Sequence, residues 1–451
     1  PDGEVGVRIV TRPEGVKEAW RRLLHRPHAR ASARAWVVSA TLGYNAAMTP
    51  TTLAGDTAPP SDTKVITLVS AAHFVSHYYI LVLPPLFPLV RAEFGVSYVE
   101  LGLALTAYNV ISAAMQIPAG FLVDRVGARA LLTGGVALGA GALGIASLVS
   151  AFWVFVATFA VLGLANTVYH PADYAVLSRR VSPRRMGQAY SIHTFSGILG
   201  SAVAPASLLF LAAWFGWRGA FLASAVLGLA VAALLLIQGD ALAAGERVSK
   251  RGPHEDAGAG GTNWRLLLTP AILVNFAFFI MLSLANGGVQ NYSVVALEAL
   301  RGTPLATANV ALSAYLLMSA IGVLLGGYVL SRTERHDGIA IAGLAANAVT
   351  VLALALFDVA APVLILLMAA AGLFQGLIMP SRDMLVRAVT PRGAFGTVFG
   401  FVTTGFNIAG IVAPLVFGWM MDQGNPQAIF LASAAFGLAS IVTVMVGTVR
   451  R

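Results

Sequence analysis

Residues 221–230 read Phe-Leu-Ala-Ser-Ala-Val-Leu-Gly-Leu-Ala, and residues 430–439 read Phe-Leu-Ala-Ser-Ala-Ala-Phe-Gly-Leu-Ala. The offset is 430 − 221 = 209. The same offset relates Gly163 to Gly372, Pro171 to Pro380, Gly187 to Gly396 and Pro205 to Pro414. Composition bias can produce one such match, but not five in one register. The chain is therefore read as two copies of one unit.

Each copy is strongly apolar. Of the 451 residues, 57% are hydrophobic and only 11% are charged, whereas a soluble domain carries roughly 25% charged residues. Mean hydropathy is +0.78. These values exclude an ordinary soluble enzyme and a disordered chain. They also argue against an outer-membrane barrel, whose alternating strands give a weak hydropathy signal. About 20 apolar residues cross the hydrocarbon core as a helix. Twelve such stretches are present: 65–90, 98–123, 129–149, 151–178, 187–213, 218–238, 266–296, 304–331, 338–357, 361–388, 395–421 and 426–448. The expected fold is an all-α membrane protein of twelve transmembrane helices in two pseudo-symmetric six-helix bundles. The expected domains are a basic leader (1–63), a first bundle (64–238), a Gly-rich charged cytoplasmic linker (239–263) and a second bundle (264–451). Repeats of this kind place a solute site at their interface near the membrane midplane.

The formal charge is +9, yet nucleic acid is not the expected partner. The basic residues fall in short clusters between apolar runs, as in cytoplasmic loops. Loops after odd-numbered spans hold only Arg91, Arg218 and Arg301, while those after even-numbered spans hold clusters such as Arg179, Arg180, Arg184 and Arg185. That asymmetry predicts both termini in the cytoplasm and a location in the cytoplasmic (inner) membrane. Residues 1–63 hold 8 of the 29 Lys and Arg, and the first methionine is Met48. Residues 1–47 read equally as a non-native extension and as a disordered basic arm near anionic lipid. There is no cysteine, hence no disulfide, thiol nucleophile or thiolate-bound metal.

After the second span the chain reads Gly120-Phe-Leu-Val-Asp124-Arg125-Val-Gly127-Ala-Arg129, and the matching loop after the eighth reads Gly327-Tyr-Val-Leu-Ser331-Arg332. With twelve spans and the repeat, this resembles the major facilitator superfamily over about residues 64–449. The resemblance implies a conformational latch at Gly120, Asp124, Arg125, Gly127 and Arg129. There Asp124 would hold the end of the second span against the neighbouring bundle, accepting bonds from a helix N-terminus or an arginine. Ser331 stands where the second half would carry the acid, so its latch would be weaker.

The sequence departs from the drug/proton antiporters of that superfamily. Phe159 stands four residues before Gly163, where they commonly carry Arg, and Gly200-x-x-x-Ala204-Pro205 replaces their Gly-Pro motif. His73, the phrase Leu89-Val-Arg91-Ala-Glu93-Phe-Gly-Val-Ser97 and His170-Pro171 look more like the fosmidomycin-resistance-type branch. That resemblance implies efflux of small anionic or amphiphilic compounds.

Ionisable groups inside spans are costly and mark function by default. His73, His170 and His193 each lie eight or nine residues from a basic span end, roughly 12–13 Å deep by the helical rise. His170 and Asp173 share a helix face. A neighbouring carboxylate favours the imidazolium, so that pair is a candidate proton carrier. His73 and His77 have a metal-ligand spacing, but no partner ligand on their span, and no metal is expected. Tyr78, Tyr79 and Pro84-Pro85 read as an interfacial aromatic belt and a helix break. In the second half the polar set is Asn275, Asn286, Gln290, Asn291, Tyr292, Tyr315 and Gln375. Asn286 and Gln290, four apart, suit a polar solute. Asp173 plus 209 is Arg382, so the two halves carry opposite charges at equivalent depth; the pair could close a gate, unless Asp383 claims Arg382.

The solute and proton pathway is thus expected at His73, His77, His170, Asp173, His193, Asn286, Gln290, Gln375 and Arg382. The expected protein is a secondary transporter, not an enzyme, without catalytic residues, metal or cofactor. It would be a monomer moving a small polar or anionic organic solute by alternating access, coupled to protons, with efflux favoured. The rival readings are an uptake symporter for an organic anion and a transporter-fold sensor or assembly partner.

Overall fold

Helices apolar around their whole circumference are those that face lipid and neighbours together. In the computed structural model the described residues are 61–243, 264–330, 332, 333, 335–391 and 395–449. Among them the chain is helical, with spans α1a (Asp62–Ile80), α1b (Phe87–Phe94), α2 (Tyr98–Val126), α3 (Ala128–Ala146), α4a (Phe152–Asn166) and α4b (Tyr169–Arg180). One continuous assignment then runs from Met186 to Ile237. The second half supplies α7 (Pro270–Arg301), α8 (Leu305–Leu330), α9 (His336–Leu356), α10 (Ala361–Val389), α11 (Phe395–Asp422) and α12 (Gln427–Val449). The expectations for residues 1–60, for most of the linker and for Ser331 lie outside the described residues.

The Met186–Ile237 run has 52 residues, about 78 Å at the helical rise and more than two membrane thicknesses. Gly216, at φ 67° and ψ 172°, is not helical. It divides the run into α5 (186–215) and α6 (217–237), so the twelve spans predicted are recovered with one residue in place of a loop. A positive φ is open to glycine at little steric cost. Two other spans are interrupted. Span 1 breaks at Leu81–Leu86, where the 3₁₀ turn Pro84–Leu86 intervenes. Span 4 breaks at Thr167 and Val168.

The repeat survives as packing. A Cβ on Gly163 would fall on the Tyr108 carbonyl, and a Cβ on Gly372 would fall on the Tyr315 carbonyl. Two glycines 209 apart therefore bring α4 onto α2 and α10 onto α8 at backbone contact. In lipid the hydrophobic effect does not drive helices together, and such close approach supplies the attraction instead. Not every match keeps its role: Gly228 makes room for the Tyr79 hydroxyl, whereas its counterpart Gly437 faces open space.

Tyr78 and Tyr79 correct the sequence reading. Both are buried, with the Tyr78 hydroxyl 3.0 Å from Ser207 Oγ on α5 and the Tyr79 hydroxyl donating to the Ser224 carbonyl on α6 at 2.9 Å. They pin α1 inside its bundle rather than forming an interfacial belt.

The three arginines of the sparsely charged end all have intramolecular tasks. The Arg91 guanidinium lies 4.6 Å from the Tyr98 ring centroid. Arg218 pairs with Glu93 at 2.7 Å and donates to the Ser147 carbonyl. Arg301 donates to the Leu354 carbonyl at 2.6 Å.

The described residues hold together as one unit, because α2 packs on α11 and α5 on α8. One apolar cluster fills the first bundle along its length and continues into the second bundle at the arginine-poor end. At the arginine-rich end the second bundle has a separate cluster around Ile272, Phe278, Leu385 and Val398. The bundles are thus joined at one end and independently packed at the other.

Candidate functional site

A break in a span frees backbone polar groups, so it is tolerated only where the chain is buried in protein or faces water, and it marks a bundle interior. Below the interruption of span 4, α4b carries Asp173, whose side chain is fully buried. His193 of α5 places Nε2 at 2.9 Å from Asp173 Oδ2. His73 of α1a places Nδ1 at 3.4 Å from the same oxygen. The two imidazoles stack at a centroid distance of 3.7 Å. Three helices therefore meet on one carboxylate. Gly197 lies under the His73 and His77 rings, and a Cβ there would strike both.

Asp173 Oδ1, His73 Nδ1 and His193 Nδ1 are buried without a hydrogen-bond partner among the described residues. An unsatisfied buried polar atom costs about 1–3 kcal/mol, and such atoms in a native fold call for a functional reason. The cluster offers open donor and acceptor positions for protons. His73, Asp173 and His193 also have ligand-type atoms within 4.8 Å of one another, a spacing that one metal ion could bridge. In this arrangement the shortest of their contacts is a hydrogen bond.

The remaining predicted histidines form the rim. His170 is exposed, with its ring 5.2 Å from His73 and stacked on Tyr174 at 6.1 Å. His77 is half-buried, 4.6 Å from His73, with Nδ1 3.4 Å from Ser201 Oγ. The expected His170–Asp173 pairing is replaced: Asp173 turns inward to α5 and α1a, while His170 turns outward. Helix periodicity shows which residues share a face, but not which neighbouring helix will claim them. Ser201 and Tyr174 carried no sequence signal beyond their place on these helices.

In the second bundle, the Tyr315 hydroxyl of α8 donates to Asn286 Oδ1 at 2.7 Å, and Asn286 Nδ2 donates to Gln290 Oε1 at 3.0 Å. Gln375 is buried and its Nε2 has no partner among the described residues. Tyr292 belongs elsewhere, donating to the Pro414 carbonyl between α7 and α11. Asn275 caps back on the Ala271 carbonyl of its own helix.

Arg382 is held within its own bundle. It bonds Asp383 through Nε and Nη2, both at 2.8 Å. The guanidinium lies 5.0 and 5.1 Å from the Phe279 and Phe406 ring centroids. Asp173 and Arg382 are not brought together in this state, and each has partners in its own half. Phe159, where antiporters carry Arg, is buried 5.0 Å from Phe155 in an aromatic core.

At the latch loop, Gly127 terminates α2 with φ 102°, and Arg125 is exposed. Arg129 pairs with Asp240 at 3.3 Å and reaches the Leu236 carbonyl, tying the loop to the end of α6. A Cβ at Gly120 would meet nothing. The side chain of Asp124 lies outside the described residues.

A family profile of the Major Facilitator Superfamily matches residues 69–303 and 279–451. Over 386 residues the chain is 25% identical to a probable sulfoacetate transporter of Cupriavidus necator, covering 80% of this chain and 87% of that protein. Over 385 residues it is 22% identical to the fosmidomycin resistance protein of Escherichia coli, covering 84% and 92%. Its fold superposes with a TM-score of 0.70 on a bacterial homolog of the human lysosomal transporter Spinster, in an inward-facing and occupied conformation, at 13% identity over 87% of this chain and 98% of that one. A mutant of the nucleoside transporter NupG superposes with a TM-score of 0.69 at 15% identity, covering 86% and 100%.

Proposed function

Since the chain belongs to the major facilitator superfamily of secondary transporters, we propose that it exports a small polar or anionic organic solute in exchange for protons by alternating access. The observation that carries this reading is Asp173, fully buried between His193 and His73 on three different helices. An isolated buried carboxylate is costly to ionise. A carboxylate shared by two imidazoles can gain or lose a proton while its neighbours re-pair, which suits coupling. The amide chain Tyr315–Asn286–Gln290 supplies neutral hydrogen bonds to a solute. Arg382 supplies a positive charge that an anion could draw from Asp383. The sulfoacetate and fosmidomycin relatives support an acidic solute.

In this reading the protein sits in the cytoplasmic membrane with both termini inside, and the state described opens toward the cytoplasm. The Spinster homolog caught facing inward supports that orientation. The function is tested with purified protein in liposomes, by adding small sulfonates, phosphonates and carboxylates and imposing a pH gradient. Proton-driven movement of one of these anions against its own gradient supports the reading. Accumulation together with protons would make it an uptake symporter. No flux of any solute would make it a sensor of the same fold.

The gate belongs to the same proposal. In the opposite state Asp173 and Arg382 would exchange their present partners for each other, a switch between pairings rather than a source of net stability. Exchanging the two charges in one protein is expected to give more transport than either single substitution. A double variant no better than the singles removes the gate.

A further inference from the structure

The bundles meet most closely along α2 and α11. Gly410, Pro414, Gly418 and Asp422 recur every four residues on one face of α11. Three of them touch α2 through its backbone or a polar side chain: a Cβ on Gly418 would crowd the Tyr98 carbonyl, a Cβ on Gly102 the Pro414 carbonyl, and a Cβ on Gly410 the Asn109 amide. Thr106 Oγ1 donates to the Ile411 carbonyl at 3.0 Å. At the arginine-poor end of this seam, Asp422 accepts the Tyr98 amide on Oδ1 at 2.8 Å and the Val99 amide on Oδ2 at 2.9 Å.

The first amides of a helix lack intrahelical partners and carry positive partial charge. Here the local cap meets only part of that need. Ser97 Oγ accepts the Glu100 amide at 3.2 Å, and Glu100 reaches back to the Ser97 amide at 2.7 Å, completing a capping box. The Tyr98 and Val99 amides remain, and these are the two that Asp422 takes. One bundle thus completes the helix cap of the other. The counterpart of Asp422, 209 residues earlier, is Ala213, so the α5–α8 seam has no equivalent carboxylate.

We propose that Asp422 is the gating residue of the arginine-poor end, holding the two bundles together there through a cap that must be released each time that end opens. It rests on the alternating-access reading above. Asp422 ends α11 and its partners begin the antiparallel α2, so the cap forms only while the two helices meet at that end. The free energy of this cap therefore enters directly into the ratio of the two states.

The chain has no cysteine, so paired cysteines carry spin labels without background. Ala151 and Ala360 are exposed, lie at the arginine-poor end and are related by the repeat offset. Distances between labels at these two positions are measured in lipid nanodiscs at several pH values without added solute. Asp422→Ala is expected to raise the long-distance population about five- to tenfold, in line with loss of a charged helix cap. Asp422→Glu should restore the short distance, and Asp422→Asn should restore part of it. Asp358, a carboxylate 88% exposed near the same end, is the control, and Asp358→Ala should leave the distances unchanged. An unaltered distribution in Asp422→Ala, or the same shift in Asp358→Ala, overturns the proposal while leaving alternating access intact. A single population at every pH in every variant overturns alternating access itself, and the latch with it. If Asp422→Ala fails to fold, Asp422→Asn gives the decision, since it removes the charge at constant shape.

Discussion

Asp173→Asn is expected to abolish uphill, pH-driven movement of solute while leaving downhill exchange of solute for solute. The side chain keeps its size, and an amide oxygen can still accept from His193, so the meeting of α1, α4 and α5 persists. What it loses is the proton site. A coupled carrier without its proton site still alternates with solute bound, but no longer draws on the pH gradient. The expected loss of accumulation is at least a hundredfold, because a substituted amide has no measurable protonation near neutral pH. Stability should change by no more than about 1–2 kcal/mol, since replacing a buried ionisable group with a neutral one of similar shape is often close to neutral. Counterflow measured beside pH-driven accumulation checks it. Loss of both activities in a folded variant would place Asp173 in solute binding, and retention of both would remove it from coupling.

The second large effect is on folding. Gly163→Val and Gly372→Val should each prevent accumulation of stable protein, because each new side chain would begin on a backbone carbonyl, of Tyr108 and Tyr315 respectively. The helix cannot step aside without parting α4 from α2, or α10 from α8. Overpacking costs about 1–3 kcal/mol even in cores that can yield. A backbone collision yields less, so a loss above about 3 kcal/mol is expected from each. Gly437→Val, in open space, should be tolerated even though it also lies on the repeat. Detergent-solubilised yield and melting temperature separate the three variants. Equal tolerance at all three positions would contradict the shared packing.

Much of the fold could be read from the sequence because membrane spans announce themselves by composition, and the repeat by its register. The offset of 209 residues, found as letters, reappears as the same helix contact at Gly163 and Gly372. Breaks within spans were harder. Proline marked the one at Pro84–Pro85, but the departure at Gly216 shows no signal that distinguishes it from the many helical glycines. Tyr78 and Tyr79 misled because amphipathic rings near a span end suit both an interface and a polar contact inside a bundle.

At the site, depth alone grouped His73, His170 and His193 at one level, and two of the three converge on Asp173. Which two depended on helix rotation, which hydrophobic periodicity cannot define in helices apolar on every side. The polar counterpart of Arg382 was ambiguous for the same reason, and its neighbour Asp383 holds it in the state described. Asp422 was invisible to motif reading because its partners are backbone amides, which every residue has. Only the approach of α2 and α11 reveals them.

The most direct test of coupled transport reads protons rather than solute. Liposomes containing the protein and a trapped pH indicator are given a gradient of the transported anion, with no pH gradient and the membrane potential clamped. A pH change inside the vesicles that begins with solute flux, scales with it and vanishes in Asp173→Asn is the predicted result. Solute flux of undiminished rate with no accompanying pH change would contradict the account.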